Sequence, residues 1–261
     1  GRAPQSSSTH VPLLARARVG MLRGQKVLVT GAGRGIGAAI AEALASEGAQ
    51  MMLCSRSKEE LEATAVKCEM APGACLHMAQ VLVHDLSTSD GIDELANVVA
   101  KAGGVDVLVN NAGCLLPGNA TEGELADFDR MMYLNLTGPM RLTRLLAPGM
   151  VERKRGTIIN VGSIAAIEGM GGTNAAYAAS KHGLRGWSNS IYNSLRESHV
   201  KVMLVNPAFV NTVMVNTMEG VIPERMIQPS DVAEVCMLPF RLSSSCVPCE
   251  VTLRLTEKAF A

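Results

Sequence analysis

Short β-branched runs alternate with longer amphipathic stretches along most of this chain. Between the first run and the first stretch lies a glycine-rich turn, Thr30-Gly31-Ala32-Gly33-Arg34-Gly35-Ile36-Gly37. Alternation of this kind calls for a parallel sheet with right-handed crossovers, since successive strands pointing the same way need a long returning connection. Strands are expected at 25–30, 50–54, 81–84, 105–110, 157–161, 200–205 and 250–255. Helices are expected at about 36–47, from Ser57 onward, and at 89–102, 122–151, 174–198 and 230–238. Ser57 and Glu60 have the spacing of a capping box. A glycine-rich turn directly between strand and helix makes a doubly wound dinucleotide-binding sheet the natural outcome.

The turn carries its own chemistry. Strand, tight turn and helix N-terminus together offer free backbone N–H groups and the positive end of a helix dipole to a pyrophosphate. Glycine is needed where a Cβ would block close approach or where φ must be positive. Composition excludes other classes. The 261 residues are 48% apolar with zero formal net charge, which predicts a packed globule and argues against nucleic acid as the main partner. Eight aromatic residues are too few for base-stacking platforms. No apolar run approaches the ~20 residues that span a bilayer.

The seven cysteines form no even framework, so they read as reduced thiols of an intracellular enzyme. Cys246-Val-Pro-Cys249 is a lone pair without the further ligands of a zinc site, and no metal is expected. Residues 1–22 stand apart. They hold Ser6-Ser7-Ser8-Thr9, Arg16 and Arg18, and no acidic residue precedes Glu42. Two readings stay open for them: a transit-peptide remnant, which would place the protein in a plastid or mitochondrion rather than the cytoplasm, or a disordered tail or tag. The remainder, 23–261, is expected to form one domain, with residues 209–228 as a weakly patterned substrate lid.

Tyr177 and Lys181 stand four apart in Ala-Tyr-Ala-Ala-Ser-Lys, some 140 residues beyond the glycine turn. On a helix that spacing stacks phenol and ammonium on one face. A free tyrosine titrates near pH ~10, and a fixed cation nearby is expected to lower that value. With a phosphate-binding turn upstream, the pair points to proton transfer coupled to hydride transfer from a nicotinamide.

Four more segments agree in order. Asn110-Asn111-Ala112-Gly113 follows the fourth strand, Asn135 lies in Tyr-Leu-Asn-Leu-Thr, Ser163 ends Ile-Asn-Val-Gly-Ser fourteen residues before Tyr177, and Tyr-x-x-x-Lys completes the set. Over roughly residues 24–212 the chain resembles the short-chain dehydrogenase/reductase family, whose fold is a single-domain Rossmann-type parallel sheet. The resemblance implies a catalytic tetrad. Ser163 would polarise a substrate carbonyl, Tyr177 would protonate it, Lys181 would lower the tyrosine pKa and hold the nicotinamide ribose, and Asn135 would fix a relay water. It also implies cofactor contacts at Gly31, Arg34, Gly35, Ile36, Gly37, Ser55, Arg56, Asp85, Leu86, Asn111, Ala112, Gly113, Pro207, Val210 and Thr212, besides Tyr177 and Lys181.

After the second strand the chain has Ser55-Arg56 and no carboxylate, so Arg34 and Arg56 are expected to bracket the 2′-phosphate of NADP(H). Where the family has Pro-Gly, this chain has Pro207-Ala208, which predicts a φ that glycine need not supply or a shifted loop. The implied activity is reversible reduction of a ketone or aldehyde, with a 3-oxoacyl-carrier-protein reductase as first candidate. A hydroxy-acid or general alcohol dehydrogenase is the alternative, and a non-catalytic NADP(H)-sensing protein the rival of another class. Arg153-Lys154-Arg155 could meet an acidic carrier or merely complement a helix C-terminus, and the apolar faces of 131–150 and 184–195 are expected to build a homodimer or homotetramer.

Overall fold

The computed structural model describes residues 20–75, 79–169, 172, 174–216, 218 and 220–260. Its centre is a parallel sheet of seven strands: β1 (Lys26–Thr30), β2 (Gln50–Ser55), β3 (Gln80–Val83), β4 (Val107–Asn110), β5 (Gly156–Val161), β6 (Val200–Pro207) and β7 (Glu250–Leu253), in the spatial order 3-2-1-4-5-6-7. The order reverses between β1 and β4, so the crevice at their carboxyl ends is where a ligand of such a sheet binds.

Helices cover both faces. They are α1 (Gly35–Ser46), α2 (Lys58–Met70), α3 (Ser89–Lys101), α4 (Leu125–Met132), α5 (Gly138–Glu152), α6 (Ala175–Leu195), α7 (Val213–Asn216), α8 (Pro229–Cys236) and α9 (Leu238–Arg241). Alternate residues of each strand point to opposite faces, so β1 sends Val27 and Val29 into one core and Leu28 into the other. The first core gathers Ile40 and Leu44 of α1 with Val232 of α8; the second gathers Leu95 of α3, Leu142 of α5 and Ile191 of α6. Apolar side chains therefore pack against both faces of the sheet.

Four elements differ informatively from expectation. Leu22, placed in the leader by sequence, is fully buried in the first core, and the N–H groups of Gly20 and Met21 bond to the Glu47 carboxylate. Residues 1–19, which carry the rest of the leader reading, lie outside the described residues. At α2 the capping box forms only by half. Ser57 accepts from the Glu60 N–H, but the Glu60 carboxylate turns to Arg34 instead of back to Ser57.

The single helix expected at 122–151 is α4 and α5 joined by a π-helical turn, Tyr133–Thr137. Pro139 causes this, because it lacks the N–H that the Asn135 carbonyl would accept from in an α-helix; the ladder widens so that the Gly138 N–H bonds to Tyr133 instead. Finally, most apolar residues of 131–150 and 184–195 serve the chain's own core. Met131, Leu142, Leu146, Met150, Leu184 and Ile191 are buried, while Leu145 is 45% exposed.

Behind the crevice a row of buried polar side chains crosses the sheet. Asn110 Nδ2 donates to Thr143 Oγ1 at 3.1 Å and to Asn160 Oδ1 at 2.8 Å, and Asn160 Nδ2 donates to Ser188 Oγ at 2.9 Å. It ties α5, β4, β5 and α6 together. Asn110→Ala removes the donor to both neighbours and is expected to cost about 2 kcal/mol, read as a lower urea midpoint with an unchanged slope.

Candidate active site

At the carboxyl end of β1 the chain turns sharply, with Gly31 at φ 64° and Gly35 at φ 56°. A Cβ on Gly37 would overlap the Gly31 carbonyl oxygen, and one on Gly31 would lie 2.9 Å from the Ala112 Cα. These glycines therefore let the turn, α1 and the loop after β4 close on one another. Arg34 occupies the N-cap of α1 with extended backbone and no capping side-chain bond, and the first turn of α1 carries no acid. Its N–H groups, including that of the half-buried Ile36, face the crevice without a competing carboxylate from that turn. The cradle fits a pyrophosphate.

The loop after β4 is latched to this turn. Thr30 Oγ1 donates to the Val109 carbonyl at 3.1 Å and accepts from the N–H groups of Asn111 and Ala112 at 3.0 and 3.1 Å. Asn111 Nδ2 returns bonds to the carbonyls of Thr30 and Gly31. The Asn111 side chain is thus spent on the protein itself. From the other side, Thr212 stands against Gly35, where its methyl would lie 3.2 Å from a Cβ, and its hydroxyl donates to the Val210 carbonyl at 3.3 Å. Val210 pairs with Ile227 beyond the end of β6, where Pro207 is buried. Ala208 has no positive φ, so this loop needs no glycine.

The ribose end departs from expectation. Arg56 is exposed and makes no ion pair among the described residues, but the Arg34 guanidinium is paired to Glu60 at 3.1 Å. Glu60 also crowds Gly33, where a Cβ would meet its carboxylate at 3.0 Å and the Ser55 hydroxyl at 3.1 Å. Sequence reasoning missed this acid because it sits on α2 rather than directly after β2. Its half-used capping position was the available signal. Asp85 accepts from the N–H and hydroxyl of Ser87, and Leu86 is buried beside it. Burial pushes the Asp85 carboxyl up, but the Ser87 bonds with Arg56 and Arg130 nearby outweigh it and leave it below its ordinary value.

Asn135, Ser163, Tyr177 and Lys181 converge on the crevice. Asn135 is buried and pairs with the Cys114 backbone in both directions at 2.9 Å, also donating to Ser180 Oγ. A Cβ on Gly113 would lie 2.9 Å from Asn135 Oδ1 and 3.8 Å from Lys181 Nζ, so a side chain here would crowd Asn135. Lys181 is 5% exposed, donates to the Val161 carbonyl at 3.0 Å and holds its ammonium 5.8 Å from the Tyr177 ring centroid.

Burial decides the ionisation here. It lowers Lys181 to about 8, with the Cys114 thiol working against it. Burial also raises Tyr177, and a hydrogen bond from Ser163 offsets this only in part. The lowered tyrosine pKa expected from sequence is therefore corrected: the phenol stays in its neutral form, beside a lysine whose pKa burial brings down to about 8. Cys114, whose own thiol burial pushes up, is a fifth group at the site that no motif marked.

Other candidates lie elsewhere. Arg153 and Arg155 bond to Val105 and Asp106 at the amino end of β4, the edge opposite the crevice. His182 bonds to the Ala178 carbonyl along its helix. Cys246 and Cys249 are not bridged, and no cluster of three metal-ligating side chains occurs among the described residues. The lid region holds α7 and packs against the C-terminal segment, with Phe209 edge-on to Phe260 at 4.8 Å between centroids, so it is better packed than its pattern implied.

Comparison with known proteins agrees with this geometry. The family model for short chain dehydrogenases matches residues 25–220. A ketoacyl reductase of Nostoc sp. is 36% identical over 190 residues, a match spanning 73% of this chain and 65% of that protein. An uncharacterized oxidoreductase of Staphylococcus aureus is 28% identical over 235 residues, 90% of this chain and 98% of the relative. Among solved structures, a metagenomic short-chain oxidoreductase in complex with NADP has a TM-score of 0.77 at 38% identity, covering 91% of this chain and all of that one. A Beutenbergia cavernae protein assigned as an NAD(P)-dependent gluconate 5-dehydrogenase, with NADP bound at low occupancy, has a TM-score of 0.78 at 28% identity, covering 90% and 96%.

The titration of Lys181 is directly measurable. In the cofactor-free protein, NMR of isotopically methylated lysines is expected to show a signal charged below and neutral above about pH 8 that is missing from Lys181→Met.

Proposed function

This chain belongs to the short-chain dehydrogenase family, and on that premise we propose that it is an NADP(H)-dependent oxidoreductase reducing a ketone or aldehyde reversibly to an alcohol. The observation that carries the reading is the half-buried Tyr177, whose phenol desolvation keeps neutral, with Ser163 hydrogen-bonded to it and the Lys181 ammonium 5.8 Å from its ring centroid. A bound nicotinamide supplies the hydride.

The side chains supply the rest. The Ser163 hydroxyl donates to the carbonyl oxygen and polarises it, and Tyr177 donates its phenolic proton to that oxygen as negative charge develops there. Lys181 stabilises the resulting phenolate, which its charge favours more than the phenol. Asn135, by fixing the Cys114 backbone against Gly113, holds the wall on which Lys181 rests. In the reverse direction the same phenolate takes the proton from an alcohol.

Pyrophosphate binding is assigned to the turn Gly31–Gly37, the adenine side to Asp85 and Leu86, and the nicotinamide side to Asn111–Gly113, Pro207, Val210 and Thr212. Arg56, exposed and unpaired among the described residues, is the first contact for a 2′-phosphate; Arg34 reaches it only by leaving Glu60. The NADP complexes among similar structures support this preference. For the substrate, Arg225 in the lid is paired to Glu257 at 3.3 Å, which favours an uncharged carbonyl over a small dianion. A 3-oxoacyl thioester meets that condition. The Arg153–Arg155 cluster gives no support to carrier docking, because it faces the far edge of the sheet.

NADPH oxidation across an acetoacetyl-carrier mimic, simple ketones and keto acids tests the reading, and turnover with the carrier mimic alone would select the acyl reductase. Tyr177→Phe is expected still to bind NADPH and to lose turnover by at least about a hundredfold. Retained turnover in this variant would sink the mechanism. Arg56→Ala is expected to weaken NADPH binding about tenfold, roughly 1.4 kcal/mol, with NADH binding little changed.

A further inference from the structure

Between β7 and the active site runs a chain of contacts that no motif marks. In the β6–β7 register Glu250 lies opposite Leu204, on the face that Asn206 also presents two residues on. Helix α6 brings Arg185 over the same face, one turn beyond Lys181 and two beyond Tyr177. Arg185 Nε donates to the Glu250 carboxylate at 2.8 and 3.0 Å. Asn206 Nδ2 donates to Glu250 Oε1 at 3.0 Å, and Asn206 Oδ1 accepts the Ser163 N–H at 3.3 Å. Asn206 is fully buried, and a Cβ on Gly162 would overlap its Oδ1, so only glycine before Ser163 permits this approach.

The amide has one workable orientation. A carboxylate is acceptor only, so Glu250 compels Asn206 to face it with Nδ2, which turns Oδ1 to the Ser163 N–H. Flipping the amide would oppose two acceptors at one end and two donors at the other. The carboxylate therefore joins both parts of the site: the helix carrying Tyr177 and Lys181, through Arg185, and the loop carrying Ser163, through Asn206.

We infer that Glu250 is a positioning residue that, acting through Asn206, sets Ser163 against Tyr177. The inference rests on the reading of Ser163 and Tyr177 as the reacting pair. Tyr177 is the natural reporter. The groups facing it are Lys181 from its own helix, Ser163 from the loop after β5 and the Cys114 thiol from the loop after β4, and the Ser163 bond is what holds its pKa down against burial. Loosening Ser163 should therefore raise the Tyr177 pKa further.

Tyrosinate absorbance after a pH jump, recorded by stopped flow before any unfolding, reads this in the full chain, with Tyr177→Phe subtracting Tyr133 and Tyr192. Glu250→Leu is expected to move the Tyr177 titration upward by the same amount as Ser163→Ala, and the double variant no further. Glu250→Gln, which keeps an acceptor for Asn206, should stay near wild type. In steady state, Glu250→Leu is expected to lower kcat about tenfold, with the Kd for NADPH within about twofold of wild type. If Glu250→Leu does not fold, Asn206→Ala, which leaves the Arg185–Glu250 pair intact, should give the same shift. Additive shifts in the double variant, or an unmoved Tyr177 in both Glu250→Leu and Asn206→Ala, would overturn the inference. A coupled titration in a wild-type protein that reduces no carbonyl would count against the reductase reading alone.

Discussion

The latch between Thr30 and Asn111 is the contact on which the rest of the crevice depends. At the switch point of a doubly wound sheet the chain leaves β1 toward one face and β4 toward the other, which would open a gap between them. One hydroxyl bridges it, donating to Val109 and accepting from Asn111 and Ala112, and the Asn111 amide returns the bond to Thr30 and Gly31. Gly31 and Gly37 make room for it, since a Cβ on either would strike the opposing loop. The phosphate cradle and the wall behind Lys181 are both consequences of that closure.

Two effects compete at the reacting pair, and their relative size sets the chemistry. A cation near a phenol favours the phenolate, whereas burial favours the neutral forms of both groups. Lys181 bonds to a backbone carbonyl and holds its ammonium 5.8 Å from the ring centroid, and burial wins: the phenol stays protonated and the ammonium is weakened to a pKa of about 8. These protonation states suit the proposed donation of a proton to a carbonyl oxygen, and the Ser163 hydrogen bond is the contact favouring ionisation of the tyrosine.

Much of the fold was legible because it is local. Strand and helix periodicity located the sheet and its crossovers, and Ser57 does begin α2. What escaped was non-local or was decided by a competing partner. Glu60 has the spacing to cap Ser57, but Arg34 arrives from the glycine turn and takes its carboxylate. Pro139 was readable as a break in a hydrogen-bond ladder, yet its effect, a widened turn around Asn135, only acquires meaning once the Cys114 backbone is found opposite. Leu22 looked like part of a polar leader and is buried because Glu47, far along the chain, gathers the N–H groups before it. Arg153 and Arg155 have the charge of a docking site and lie at the wrong edge of the sheet.

Sequence alone determined the reaction class, because order and spacing carry it: a glycine turn between strand and helix, an asparagine pair after the fourth strand, a serine, and a tyrosine one turn before a lysine. Tertiary structure decided the state of those groups. Desolvation, the pairing of Arg34 with Glu60, and the path from Arg185 through Glu250 and Asn206 to Ser163 join residues 26 to 65 positions apart. Such contacts leave no local pattern in a chain, since an ionisable group's energy depends on what surrounds it in space rather than on what precedes it in sequence.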